Sequence, residues 1–193
     1  TETANTDGSG GTYASTIQAN QTAGFSIVRF TPGSSSGKVA HGLSQAPEFI
    51  MMKDTSRSVL WLVYHKDVGA DKYLRLDNTD AVATNSTVYS TSPTASVFDP
   101  GTGYTSGSSY GATVAYCWHG VEGFSRFGSY TGNANTNGPF VYTGFKPSWL
   151  MVKNSAASTN WVVWDNQRTP INEMNTALLP NGTNADTSGF DID

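Results

Sequence analysis

Residues 47–65 read PEFIMMKDTSRSVLWLVYH, and residues 147–165 read PSWLMVKNSAASTNWVVWD. They align without a gap at an offset of one hundred residues: Pro47 with Pro147, Met51 with Met151, Lys53 with Lys153, Trp61 with Trp161, Val63 with Val163. In the first copy, two runs of β-branched, aromatic and aliphatic residues flank a polar centre, DTSRS, which is the pattern of a β-hairpin. The second copy repeats that spacing, so hairpins are expected at Glu48–His65 and Ser148–Asp165. In Val59–His65 both parities carry large apolar side chains, so this strand is expected to be covered on both faces.

The same reading extends along the chain. Phe25–Thr31 reads as a strand stopped by PGSSSGK, Lys72–Leu76 as a half-buried strand, and Ala112–His119 as another. No amphipathic helix of useful length occurs. The fold class expected is all-β, an antiparallel β-sandwich built from two related repeats. YLRLDNTDA (73–81) returns as ALLPNGTNA (177–185), and FTPG at Phe30 as YTGN at Tyr130. Repeat one is expected over 24–126 and repeat two over 127–193. Residues 1–23 are polar and glycine-rich and read as an arm or linker. The second copy carries no counterpart of GATVAYCWHG (111–120), so its last strand is expected from a continuation of the chain or from a neighbouring subunit.

Composition limits the functional classes. The 193 residues carry a formal charge of -4, with 11 Lys and Arg scattered singly, which argues against a nucleic-acid or anionic-membrane footprint. The longest apolar runs are too short to span a bilayer. The single cysteine, Cys117, excludes an internal disulfide framework and a cysteine-rich zinc site.

Residues with chemical potential are few. GSSYG (107–111) matches the G-x-S-x-G pattern with Ser109 at its centre, but a Gly/Ser loop precedes it and a strand follows, whereas a nucleophile elbow needs a strand before and a helix after. His41, His65 and His119 lack metal-ligand spacing and read as strand-end residues. The glutamates Glu2, Glu48, Glu122 and Glu173 form no closely spaced pair for glycoside cleavage. These readings argue against an enzyme without eliminating one: a binding or structural protein is expected, a glycan-degrading enzyme or bacterial adhesin is the remaining alternative, and no cofactor is expected. Asp77 and Asp80, in DNTDA, are the best calcium candidates, but the matching NGTNA has neither acid, and turn formation is the simpler reading. Asn20, Asn85 and Asn181 each open an N-x-[ST] triplet, a pattern that chance supplies in such a chain.

Aromatics concentrate in the strands. Trp61 and Trp161, at equivalent repeat positions, are expected in the core. Tyr64 and Trp164, with Asp165 beside them, are expected at the surface, where a flat ring and a carboxylate could hold a sugar.

The segments GFSIVRFTPG, HGLSQAPEFIMMK, WLVYHKDVGADKYLRLDNTDA, VAYCWHGVEGFSRFGSYTGN and GPFVYTGFKPSWLMVK span most of positions 24–185. Their combination resembles a repeat of structural proteins from marine bacteriophages, cyanophages among them. The resemblance implies a virion component with a lectin-like, concanavalin A-type sandwich, carried on tail fibres or other appendages. It implies other virion proteins and a host-surface glycan as partners, and no catalytic motif to transfer. Display in several copies, with a trimer favoured, fits such a role. The chain departs from the pattern in its long polar start and in the strand absent from repeat two.

Overall fold

The computed structural model describes residues 2–4, 11–33, 37–102, 111–135, 137–168 and 174–192. The chain is all-β, with fifteen strands and no helix among these residues. In chain order they are β1 (Glu2–Ala4), β2 (Gly11–Tyr13), β3 (Ser15–Asn20), β4 (Phe25–Phe30), β5 (Lys38–Ala40), β6 (Phe49–Asp54), β7 (Leu62–His65) and β8 (Lys72–Arg75). There follow β9 (Ala83–Thr84), β10 (Val97–Phe98), β11 (Thr113–Trp118), β12 (Trp149–Lys153), β13 (Trp161–Asp165), β14 (Met174–Ala177) and β15 (Thr187–Ile192).

Eight strands form one antiparallel sheet in the order β1-β3-β4-β11-β6-β7-β8-β9. Its centre is β11, inserted between β4 and β6, with Ala115 opposite both Val28 and Met52. The alternation in TVAYCW explains the placement: Thr113, Ala115 and Cys117 point inward and are buried, while Val114, Tyr116 and Trp118 point outward. A smaller sheet, β10-β5-β2, supplies Phe98, Val39 and Tyr13 to the same core as Val28, Ile50, Met52, Leu62 and Tyr64 of the large sheet. Two layers thus close on one core, which makes the architecture a β-sandwich whose large sheet is antiparallel and whose small sheet contains one parallel pair, β2 with β5.

Residues 15–20, expected within a polar arm, instead form β3, paired with β4 along its whole length. The physical reason is one side chain. Ile17 faces Val28 and is buried, while Thr16 and Gln18 remain in solvent.

The two hairpins read from the sequence are both present, with the same register. Phe49 pairs with His65 and Met51 with Val63; Trp149 pairs with Asp165 and Met151 with Val163. The agreement continues past the hairpins. Lys66 N–H donates to the Glu48 carbonyl at 2.8 Å, and Asn166 N–H to the Ser148 carbonyl at 3.1 Å. Tyr73 pairs with Ala83 in β8–β9, and Ala177 with Thr187 in β14–β15. Both hairpin turns are closed by an Asx side chain. Asp54 Oδ1 accepts from the Ser56 N–H at 2.8 Å, and Asn154 Oδ1 from the Ala156 N–H at 2.9 Å.

The outward face of β7 and β8 is not left to solvent. Trp161 and Met151 of the second hairpin pack with Val63, Phe49 and Met51 of the first and with Leu74 of β8, so the two hairpins meet back to back. Val63 is thereby wholly buried; the double covering expected over Val59–His65 holds only from Leu62 on, where the strand begins, and Val59 and Leu60 are exposed. Burying a side chain such as Val63 contributes about 2 kcal/mol. Lys72–Leu76 was expected to be half-buried. Tyr73 faces the sandwich core and Leu74 faces Trp161, so both are buried.

Candidate functional site

The described aromatics fall into two groups that differ in what their rings touch. The first lies on the outward face of the large sheet. Phe25, Trp118, Phe49 and His65 form a cross-strand row. Phe25 stacks on Trp118 with centroids 5.0 Å apart, Phe49 stacks on Phe127 at 5.7 Å, and Trp61 on Tyr116 at 6.4 Å. Phe49 meets Trp118 at a tilt and His65 edge-on, so the rings of this row pack chiefly on one another, as a packing ribbon does.

The second group projects from the second repeat. Trp149 is 59% exposed, and Tyr142 and Phe140 are also exposed. Trp149 stands directly opposite Asp165, on the same face of the β12–β13 pair. Asp165 in turn is held in place: its Oδ1 accepts from the Gln167 and Arg168 N–H groups at 3.0 Å, and Oδ2 from Arg168 Nε at 2.8 Å. Arg168 also reaches Asp186 at 2.9 Å. Partial desolvation opposes ionisation of Asp165, but the hydrogen bonds from the Arg168 and Gln167 backbone and the guanidinium outweigh it and keep the carboxyl below its ordinary range. The result is an indole face beside a fixed carboxylate and a guanidinium, the elements that stack on a pyranose ring and bond its hydroxyls.

The expected sugar contacts are redistributed by this geometry. Tyr64 and Trp164 are buried, not exposed, because both point to the inward side of their hairpins: Tyr64 into the sandwich core, Trp164 against Val162, Ala177 and Leu179. Neither offers a ring face to solvent. Asp165 stays at the surface, and its aromatic neighbour there is Trp149, one parity away from Trp164. Trp161 is buried as expected, whereas Trp61 is half-buried and lies against Tyr116.

Asp77 and Asp80 act in the fold's own turns. Asp77 Oδ1 accepts the Trp61 N–H at 3.0 Å, and Asn181 Oδ1 accepts the Trp161 N–H at 2.8 Å, so an acid and an amide do the same work in the two repeats. Asp80 Oδ2 takes Arg75 at 2.7 Å and Asn78 at 2.9 Å. Among the described residues no three His, Cys, Asp or Glu side chains come together as a metal site. Ser109 and Glu173 lie outside the described residues.

The histidines sit at strand ends. His41, just after β5, is fully buried; its Nδ1 accepts the Leu43 N–H at 3.1 Å and its Nε2 lies 3.1 Å from the Thr94 carbonyl. Burial first, offset in part by the Thr94 carbonyl and reinforced by His119, lowers its pKa to about 4. Burial raises the Cys117 thiol well above its usual range, so it is a core side chain and not a nucleophile. No helix of the described residues is long and apolar enough to cross a membrane.

No curated protein and no solved structure matches this chain. One family does, along the whole length: over residues 1–193 the sequence matches DUF7483, a domain of unknown function, and the chain belongs to that family.

Proposed function

We propose that the chain is a structural module of a bacteriophage appendage, a tail fibre or similar element, whose lectin-like surface attaches to host-cell glycan at Trp149. The observation that carries the attachment site is the exposed indole of Trp149 directly across from Asp165, with Arg168 fixing the carboxylate. The placement in a virion, with other virion proteins as partners and a trimer as the assembly, rests on the resemblance of the quoted segments to marine phage proteins. A binding role rather than a catalytic one is supported by how the acids and histidines are used. Glu48 takes Lys66 and the Gly120 N–H, Asp54 takes Ser56 and Arg57, and His41 closes a turn.

The test is a glycan array of bacterial surface polysaccharides, probed with the wild-type chain and with Trp149→Ala. Saturable binding by the wild type that is lost in the variant, with melting temperature unchanged, is the expected result. Equal signals from both proteins would remove Trp149 from the site. No binding to any glycan would favour the second reading, a capsid decoration or fibre-shaft protein without a receptor. That reading draws on a separate observation: Phe124, Tyr130, Phe140, Val141, Tyr142 and Trp149, six large apolar side chains within residues 124–149, are all exposed.

A further inference from the structure

Two of those exposed side chains, Tyr130 and Val141, have buried counterparts in the first repeat. Tyr130 opens YTGN as Phe30 opens FTPG, and Phe30 is buried. Val141 stands three residues before Gly144 (φ 87) as Val39 stands three before Gly42 (φ 72), and Val39 is buried. Leu150 and Val152 are half-buried where Ile50 and Met52 are fully buried. Ile50 and Met52 lie under the small sheet and are flanked by β11, with Cys117 opposite Ile50 and Ala115 opposite Met52.

On β12, the counterpart of β6, that edge carries no strand among the described residues. The direction of its backbone groups follows from the neighbouring bonds. Val163 bonds Leu178 both ways at 2.9 Å, so its N–H and C=O point away from β12. In an antiparallel ladder the opposite residue, Met151, then points its own groups away from β13. Leu150 and Val152 bond β13, whereas Trp149, Met151 and Lys153 present donors and acceptors to the open side. A row of unpaired strand groups flanked by apolar side chains is a template for a further strand.

We infer that the free edge of β12 accepts an antiparallel β-strand with the pattern of Thr113–Trp118. Transposing the β11–β6 register gives the occupant's chemistry. Small residues lie opposite Leu150 and Val152, in the places of Cys117 and Ala115. Aromatic residues lie opposite Trp149 and Met151, in the places of Trp118 and Tyr116. The added strand flanks Leu150 and Val152 on one face and stacks a ring beside Trp149 on the other. This inference goes beyond the attachment reading and does not depend on it.

The experiment uses the whole chain and a synthetic peptide of residues 111–120, GATVAYCWHG, carrying Cys117→Ser to prevent disulfide exchange. A control peptide of the same composition places its aromatic residues at the inward parity. Binding is read by titration calorimetry, and amide hydrogen exchange locates it. The matched peptide is expected to bind one to one and the control not to bind. Exchange at Met151 and Lys153 is expected to be fast in the free chain and to slow at least tenfold on binding. Leu150 and Val152 should be slow in both states, and β6 unaffected. Equal binding of the two peptides, no binding, or slowing confined to β6 would overturn the inference. So would a free chain that is already dimeric with Met151 protected, since a second copy would then occupy the edge. Glycan arrays run without peptide keep failure of the attachment reading separate from failure of this one.

Discussion

The indole N–H of Trp161 donates to the Arg75 carbonyl at 2.7 Å, joining β13 of the second repeat to β8 of the first. The ring packs on Val63 and Leu74 at the same contact, so one side chain both fills the seam between the hairpins and satisfies a backbone acceptor there. Trp61, at the equivalent position, makes no such bridge. It is half-buried and lies against Tyr116.

Trp161→Ala is therefore expected to cost about 3–5 kcal/mol in unfolding free energy. Trp161→Phe should cost less, keeping most of the ring but abandoning the Arg75 carbonyl. Trp61→Ala should fall below Trp161→Ala, because the ring it removes is already partly in water. Guanidinium chloride melts of the three variants rank them, and equal losses at positions 61 and 161 would mean that the seam contributes no more than the surface ribbon.

Stability is expected to fall with acidity through His41. The folded chain holds this imidazole neutral down to about 4, against 6.5 for an unperturbed histidine. Between those values the unfolded state binds a proton that the folded state refuses. The contribution is therefore complete above pH 6.5 and declines as pH drops toward 4, by up to about 3 kcal/mol. Protonation would also cancel the Nδ1 lone pair that accepts the Leu43 N–H. Denaturation at pH 7 and pH 4.5 measures the loss, and His41→Gln should flatten that slope.

The repeats supply their own control for Asp77. Because Asn181 accepts the Trp161 N–H as Asp77 accepts that of Trp61, Asp77→Asn is expected to change stability by less than about 0.5 kcal/mol. Asp77→Ala removes the acceptor and should cost about 1 kcal/mol. EDTA should leave the melting temperature unchanged, and a fall of several degrees would point instead to a cation at Asp77 and Asp80.

A third comparison concerns the buried turn at Asp54. Burial works against the charge, but the Ser56 hydroxyl and N–H and the Arg57 guanidinium outweigh it, so the folded carboxyl titrates below its ordinary range. That stability is present at neutral pH and is lost as pH falls through the depressed value. Asn154 closes the matching turn without charge, so Asp54→Asn should keep the hairpin, lose about 1–2 kcal/mol at pH 7, and lose less than the wild type on acidification.

Much of the fold was legible because its signals are local. Periodicity and turn residues located the hairpins expected at Glu48–His65 and Ser148–Asp165; of the strand expected at Val59–His65 to be covered on both faces, only Leu62–His65 forms, and Val59 and Leu60 are exposed. β3 was missed because STIQAN has one apolar anchor, Ile17, and its burial depends on pairing with β4. The exposure of Tyr64 and Trp164 was misjudged for a related reason. A strand covered on both faces gives no contrast between inward and outward positions, and β13 meets solvent only at its end, where Asp165 pairs with Trp149. The double role of Trp161 lies further from sequence reasoning still, since its acceptor, Arg75, belongs to the other repeat.

The insertion of β11 between β4 and β6 also has a consequence for biosynthesis. A ribosome delivers β4 and β6 long before residues 113–118 emerge, so neither strand has its central partner while the intervening chain is being made. The nascent polypeptide must hold the β3–β4 and β6–β7 pairs apart, each with one edge unpaired, during that interval, when non-local pairing is slow and stray strand association competes with folding. Emergence of Trp118 is thus the event that commits the large sheet. Pausing translation just upstream of residue 113 is expected to raise chaperone occupancy, and pausing just after the tunnel has cleared residue 118 to lower it.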